Sequence, residues 1–146
     1  MTRPTWDAYF LKLAEIASTR STCLRRKAGA VLVTRDRWVI SIGYNGAPAG
    51  LPHCEELGGC LREQLKVPSG ERHEICRAVH AEQNVVLIAA RDGRTTKQST
   101  LYSTTFPCII CAKMLVQAGV EQIIYHDTYE DDETMKMLRQ AGVVIR

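Results

Sequence analysis

The order of helical and strand-like segments constrains the fold more than any other feature of this sequence. Apolar spacing predicts a helix over 5–18, followed by two β-rich segments, AGAVLVT (28–34) and RWVISIG (37–43), that a short turn connects. The later segments alternate between helix and strand: 78–91, 100–105, 108–118, 122–126, 131–140 and the final VVIR. The order α-β-β-α-β-α-β-α-β predicts a three-layer α/β/α domain built on a mixed five-stranded sheet.

The length and composition exclude several classes of protein. With 146 residues, the chain has the size of one domain, and we expect a single domain over 1–146. The longest apolar runs, AGAVLV and VVLIAA, are far shorter than the ~20 residues of a membrane span. No signal peptide is evident in MTRPTWDAYF, so we expect a cytoplasmic protein. A net charge of +3, with two Trp, five Tyr and two Phe, argues against a nucleic-acid-binding surface.

Six cysteines and four histidines are unusual for a chain expected in a reducing compartment, where such residues more often bind metal than form disulfides. His80-Ala81-Glu82 begins one predicted helix, and the segment from Pro107 to Cys111 begins another. The spacing of Cys108 and Cys111 puts both sulfurs on one helix face, where the helix N-terminus stabilises thiolates. Together with the His80 imidazole they form a three-ligand zinc site with one open position.

The position of Glu82 indicates catalysis. It lies two residues after His80, so its carboxylate can stand beside the metal as a base without being a ligand. The pattern H-x-E followed by P-C-x-x-C is the signature of zinc-dependent nucleobase deaminases. The alternative is a zinc knuckle that only connects two helices. The Glu82 carboxylate and the proline before Cys108 favour the catalytic interpretation.

Segments that cover nearly the whole chain resemble the deoxycytidylate (dCMP) deaminase family, especially its bacterial and phage branch. They are RPTWDAYFLKLAEIASTRSTCLRRKAGAVLV, IGYNGAPAGLPHC, SGERHEICRAVHAEQN and TLYSTTFPCIICAKMLVQAGVEQIIY. The resemblance implies a cytidine-deaminase-like fold and hydrolysis of dCMP to dUMP and ammonia, which supplies the precursor of thymidylate. It implies a catalytic zinc on His80, Cys108 and Cys111, with Glu82 as the proton shuttle. It also implies a homo-hexamer that dCTP activates and that dTTP inhibits together with Mg²⁺.

The GYNG segment matches the family motif associated with this regulation. The resemblance therefore assigns Gly43, Tyr44 and Gly46 to the regulatory nucleotide. The fourth residue of the segment, Asn45, matches an active-site residue that contacts the sugar of the substrate.

Basic residues just before the first strand are candidates for binding the substrate phosphate. Tyr129 follows the last inner strand, where ligands of α/β proteins commonly bind, and family position also places it near the phosphate. We favour Arg26 as a phosphate ligand, whereas a solvated turn is an equal alternative for its neighbours Arg25 and Lys27. By family position, Arg91 lies near the substrate or in a subunit contact.

Five further residues could bind a second metal: Cys23, Cys54, Cys60, His73 and Cys76. Four of them form the pattern C-x5-C-x12-H-x2-C inside a Gly/Pro-rich loop over 44–77, which suits a closed zinc site. Family position favours Cys23, Cys54, His73 and Cys76 as ligands of a structural zinc that staples this loop, with Cys60 as the rival ligand. The alternative is a set of buried, uncoordinated thiols.

Two other functions remain open from the sequence. The first is deamination of another cytosine nucleotide or base, because dCMP and dCTP carry the same base. The second is a competence-linked protein that binds zinc or nucleic acid without turnover. Glu82 discriminates against the second function, since a protein without turnover has no need of this carboxylate.

Overall fold

The structure, a computed structural model, describes residues 2–127 and 129–146. Its main elements follow the predicted order. The strands are β1 (Gly29–Val33), β2 (Val39–Tyr44), β3 (Ser99–Ser103), β4 (Val120–Tyr125) and β5 (Val144–Ile145). The helices are α1 (Trp6–Ser18), α2 (Leu61–Gln64), α3 (Ala81–Arg91), α4 (Ile109–Gln117) and α5 (Asp132–Gln140).

The five strands form one mixed sheet in the order β2-β1-β3-β4-β5. β1 pairs antiparallel with both β2 and β3, whereas β3, β4 and β5 are parallel. Every residue of β1 and β3 is buried, as expected for inner strands that are covered on both faces.

Helix α1 covers one face of the sheet. The apolar residues of this layer are Phe10, Ala14, Val31, Val33, Tyr102 and Ile124. The helix approaches β1 so closely that a Cβ atom on Gly29 would lie 2.0 Å from the carbonyl oxygen of Ala14, so only glycine fits there. In the part of the chain that the structure describes, no helix combines the length and apolar character needed to cross a bilayer.

Helices α3, α4 and α5 cover the opposite face, which confirms the three-layer architecture. Leu32, Leu101 and Ile123 point into this core from the three central strands, and each is fully buried. The helices contribute Val85, Ala89, Leu115 and Leu138 to the same core. Since α3 and α4 pack on one side of the sheet, the two predicted metal-binding motifs lie in the same layer.

The loop after β2 has more structure than its Gly/Pro content suggests. It contains α2 and a 3₁₀ turn at His73–Ile75. Arg62 of α2 donates from Nη2 to the carbonyl of Glu71 at 2.6 Å, and Arg77 donates from Nη1 to the carbonyl of Gly59 at 3.2 Å. Arginine side chains thus satisfy backbone carbonyls that no strand partner reaches.

Candidate active site

The two predicted metal-binding motifs meet at the N-termini of α3 and α4. His80 and Cys108 are the N-cap residues of these helices, both with extended backbone. The side chain of Gln83 accepts a hydrogen bond from the His80 backbone N–H at 2.8 Å, which fixes the start of α3. His80 Nδ1 lies 3.3 Å from the sulfur of Cys111 and 3.7 Å from that of Cys108.

These separations fit a tetrahedral zinc ion. With Zn–N of about 2.0 Å and Zn–S of about 2.3 Å, a tetrahedral centre holds nitrogen and sulfur ligands about 3.5 Å apart. The two observed distances, 3.3 and 3.7 Å, lie on either side of this value. One imidazole and two thiolates are ligands that zinc favours, and a fourth position is left for water or substrate.

Hydrogen bonds within the cluster shift the pKa values of its members. A hydrogen bond with Cys111, assisted by one with His80, lowers the pKa of the Cys108 thiol despite its burial. Hydrogen bonds with Cys108 and then Cys76 raise the pKa of His80 to about 10. Since zinc binds the deprotonated forms of these groups, metal binding at this cluster releases protons.

Glu82 lies in the first turn of α3 and is 4% exposed. Its Oε1 accepts hydrogen bonds from Thr105 Oγ1 at 3.2 Å and Ser103 Oγ at 3.4 Å. Burial is the main cause that raises the pKa of this carboxyl above its ordinary value. A carboxyl group in such a setting can both accept and hold a proton, which suits general acid–base catalysis.

The cluster opens into a cavity of about 500 Å³. This volume lies in the range of small-ligand sites. Glu82, His80 and Cys108 line the cavity together with several cationic or polar side chains: Arg25, Arg26, Asn45, Arg62, His73 and Tyr129. The cavity therefore combines a candidate metal and base with groups that can bind an anion.

The three arginines that line the cavity differ in their partners. Arg26 forms an ion pair with Asp127, and Arg25 Nε lies 3.8 Å from a Glu63 carboxylate oxygen. Arg62 is 8% exposed, and no carboxylate lies within ion-pair distance of it in the described part of the chain. Its Nε is buried without a hydrogen-bond partner. A buried, uncompensated guanidinium is costly, so Arg62 favours an anion nearby.

A family comparison agrees with this geometry. The cytidine and deoxycytidylate deaminase zinc-binding region matches residues 4–127. The chain belongs to this family. The match includes both zinc motifs and the Glu82 carboxylate.

Several deoxycytidylate deaminases are similar to the chain. That of Schizosaccharomyces pombe is 41% identical over 145 residues, covering 99% of this chain but only 44% of the relative. That of Mycobacterium phage D29 is 42% identical over 129 residues, covering 86% of this chain and 97% of the relative. The chain thus spans less than half the length of the fungal relative and nearly the whole phage relative. The crystal structure of cyanophage S-TIM5 dCMP deaminase with dCMP and dUMP superposes with a TM-score of 0.78 at 29% identity, covering 100% of this chain and 98% of that one.

In this member of the deaminase family, the GYNG segment packs against α3 and the residue that precedes His80. A Cβ atom on Gly43 would lie 2.9 Å from the Cβ of Asn84, so glycine lets α3 approach β2 closely. Gly46 forms a β-bridge with Val79, directly before His80. Tyr44 is 37% exposed at the end of β2, and its carbonyl accepts a hydrogen bond from the Asn84 side chain at 2.7 Å.

Asn45 lines the cavity, but its side chain is already bonded within the protein. Its Oδ1 accepts from the Ala28 N–H at 2.8 Å and from Ser21 Oγ at 2.5 Å, and its Nδ2 donates to the carbonyl of Arg26 at 2.8 Å. Asn45 therefore holds the segment that carries Arg26. One Nδ2 hydrogen is left for a ligand in the cavity.

The structure brings Tyr129 to the cavity but not Arg91. Tyr129 lines the cavity and lies close to the loop over 44–77, since a Cβ atom on Gly70 would lie 3.2 Å from the Tyr129 hydroxyl oxygen. Arg91 is the last residue of α3, pairs with Asp92 at 3.2 Å and is not among the cavity-lining residues. A subunit contact remains the prediction for Arg91.

Four of the five additional candidate ligands surround a second, much smaller cavity. Cys23, Cys54, Cys60 and Cys76 line a space of about 20 Å³, room for about one water-sized sphere. Burial, together with Cys60 and the other two nearby thiols, raises the pKa of Cys54. All six cysteines are free. Among the described residues, no three of these four sulfurs lie within 4.8 Å of one another.

His73 is placed differently from our assignment. It does not line the small cavity, and a ring nitrogen lies within 4.8 Å of the ligand atoms of His80 and Cys108. Its ring meets that of His80 edge to face, with centroids 5.4 Å apart. The 3₁₀ turn that carries His73 directs it towards His80 and Cys108, whereas Cys60 lines the small cavity with the other three cysteines.

Three residues at the site had no role in the sequence analysis: Ser103, Thr105 and Arg62. The two hydroxyl residues lie at the end of the predicted strand over 100–105, before Pro107, but many strands end in such residues. Arg62 lies in a loop with several other arginines. Its burial depends on contacts across the loop, which no local pattern encodes.

Proposed function

We propose that this chain hydrolyses dCMP to dUMP and ammonia. The observation that carries the proposal is the buried Glu82 beside a three-ligand cluster, in a cavity large enough for a nucleotide. Support comes from the relatives that are named deoxycytidylate deaminases and from the similar phage enzyme crystallised with dCMP and dUMP. We assign supply of the thymidylate precursor, in the cytoplasm, as its role.

His80, Cys108 and Cys111 would hold the catalytic zinc. When bound, zinc supplies the Lewis acidity that makes water a nucleophile at neutral pH. Glu82 takes a proton from the water that attacks C4 of cytosine and delivers it to ring nitrogen N3. Glu82, again a carboxylate, then takes the hydrogen of the new C4 hydroxyl and transfers it to the amino group, which leaves as ammonia as the C4–N bond breaks and the C4 carbonyl forms. Its buried position suits both transfers, because it holds a proton more readily than an exposed carboxylate does.

The arginines that line the cavity would recognise the 5′-phosphate. We propose Arg62 as the main phosphate ligand, since Arg25 and Arg26 already have carboxylate partners. Arg26 and Tyr129 line the same cavity and would make further contacts with the phosphate, and Asn45 would contact the sugar. A phosphate here would compensate the buried charge of Arg62.

We also propose a second zinc, held by Cys23, Cys54, Cys60 and Cys76. The four thiols line a space for one sphere, and an ion there would draw their sulfurs together into a closed structural site. The ion would stabilise the loop over 44–77, which contributes no residue to either apolar core cluster. Cys23, Cys60 and Cys76 also line the larger cavity, so this ion would stiffen one wall of the active site.

Regulation and assembly follow the family in our proposal. The GYNG segment would couple the site to dCTP as activator and to dTTP with Mg²⁺ as inhibitor.

Strand β2 lies at the sheet edge and exposes Val39, Ile42 and Tyr44, next to Trp38 at 74% exposure. Such an edge favours association with another subunit, and we propose a homo-hexamer.

Ammonia release from dCMP, dCTP, CMP and deoxycytidine, each with and without added dCTP, tests the proposed reaction. We expect dCMP to give the highest kcat/KM and dCTP to increase its turnover. A higher kcat/KM for dCTP than for dCMP would instead support deamination of dCTP. Absence of ammonia from all four compounds, in protein that contains zinc, would support a binding protein instead.

The substitution Arg62→Met tests the phosphate contact. We expect the KM for dCMP to rise by about 10- to 100-fold, since a charge-assisted hydrogen bond contributes about 1.5–3 kcal/mol. Turnover of deoxycytidine, which has no phosphate, should stay the same. Arg35→Met is the matched control, because Arg35 pairs with Glu121 outside the cavity. Equal losses for dCMP and deoxycytidine would assign Arg62 to loop structure alone.

A further inference from the structure

Two hydroxyl groups at the end of β3 contact Glu82, and the family motif assigns them no role. Thr105 Oγ1 and Ser103 Oγ lie 3.2 and 3.4 Å from the same carboxylate oxygen, Oε1. We infer that Thr105 and Ser103 are positioning residues that hold the Glu82 carboxylate through Oε1 in the orientation in which it exchanges protons with the substrate.

The hydrogen-bond directions support this assignment. The backbone N–H of Thr105 donates to Ser103 Oγ at 3.2 Å, so the Ser103 hydroxyl accepts there and keeps its own hydrogen for Glu82. An ionised carboxylate only accepts, so both hydroxyls must donate to it. Ser103 is fully buried and Thr105 is 9% exposed, so water competes little for either bond.

The hydrogen bonds to Oε1 also connect different structural elements. Glu82 belongs to α3, whereas the hydroxyls belong to β3 and the segment that leads to Cys108. The side chain of glutamate has three rotatable bonds, and two donors on one oxygen restrict them. The carboxylate is thereby held in one orientation relative to the cluster. Pre-organisation of this kind matters because a displacement of about 1 Å in a catalytic group can cost about 100-fold in rate.

The substitution Thr105→Val tests the inference, because valine keeps the shape of threonine and removes the donor. We expect kcat for dCMP to fall by about 10- to 100-fold, with little change in the Kd of dUMP. Thr105→Ser, which restores a hydroxyl, should recover most of kcat. Thr104→Val is the matched control, since the hydroxyl of Thr104 accepts from the Gly29 N–H at 3.1 Å and does not contact Glu82. Unchanged kcat in Thr105→Val, or equal loss in Thr104→Val, would overturn the inference.

The role in proton exchange rests on the proposed deaminase function, so a structural readout is needed as well. Crystal structures of the wild type and Thr105→Val show whether the Glu82 carboxylate keeps its orientation. We expect it to turn away from the end of β3 in the variant. An identical carboxylate position would overturn the positioning role even if the enzyme is active. A wild type that deaminates none of the cytosine compounds would overturn the proposed function, whatever the two structures show.

Discussion

Replacement of Glu82 by glutamine should abolish deamination while the protein keeps its fold and its zinc. Glutamine has nearly the same shape, and its side-chain oxygen can still accept from Ser103 and Thr105, but it cannot take up the proton of water. General acid–base catalysis contributes about 10²- to 10⁴-fold, and the same carboxyl serves both proton transfers. We therefore expect kcat for dCMP to fall by about 10³-fold or more.

The control for this substitution is Glu121→Gln on β4. Glu121 forms an ion pair with Arg35 and does not line the cavity. We expect wild-type turnover from this variant. Zinc content, melting temperature and the Kd of dUMP should match the wild type in both variants. Substantial ammonia release by Glu82→Gln would remove Glu82 from the mechanism.

Loss of one catalytic ligand should remove one zinc and all turnover. Cys111 is fully buried in α4, and its sulfur lies 3.3 Å from His80 Nδ1. Serine fits the same space, but its hydroxyl is a much harder and less acidic ligand than a thiol, so zinc affinity should fall steeply. We expect Cys111→Ser to bind one zinc per chain, where the wild type binds two, and to release no measurable ammonia from dCMP.

The matched substitution Cys54→Ser separates the two metal sites. Cys54 lines only the smaller cavity, so the variant should also bind one zinc but retain turnover within about tenfold of the wild type. Its melting temperature should fall by more than about 5 °C, because a structural zinc contributes directly to folding. Two zinc ions in Cys54→Ser would contradict the second site. Two zinc ions in Cys111→Ser would contradict the catalytic site.

Much of the fold was predictable because its periodic signals are local. Apolar spacing and β-branched runs placed every main helix and strand, and Pro107 correctly marked the entry to α4. The final strand was also predicted, although only Val144 and Ile145 pair with β4. The loop after β2 was less predictable, because α2 and the 3₁₀ turn depend on contacts between distant parts of the loop rather than on periodicity.

The proximity of His80, Cys108 and Cys111 was predictable for a different reason. His80, Cys108 and Cys111 each lie at a helix start, and two helices on the same face of a sheet bring such positions together. The position of His73 near His80 and Cys108 was not predictable, because spacing along a loop does not say in which direction a turn points. The left-handed backbone of Arg72, with φ of 52°, precedes the turn that directs His73 towards His80.

Anomalous diffraction at the zinc edge, from crystals of the protein with dUMP, tests the central claim most directly. We expect one zinc about 2.0–2.3 Å from His80 Nδ1 and from the sulfurs of Cys108 and Cys111, with the Glu82 carboxylate beside the ion but outside bonding distance. Absence of zinc between these three side chains, or a zinc ion bonded to Glu82, would contradict the account.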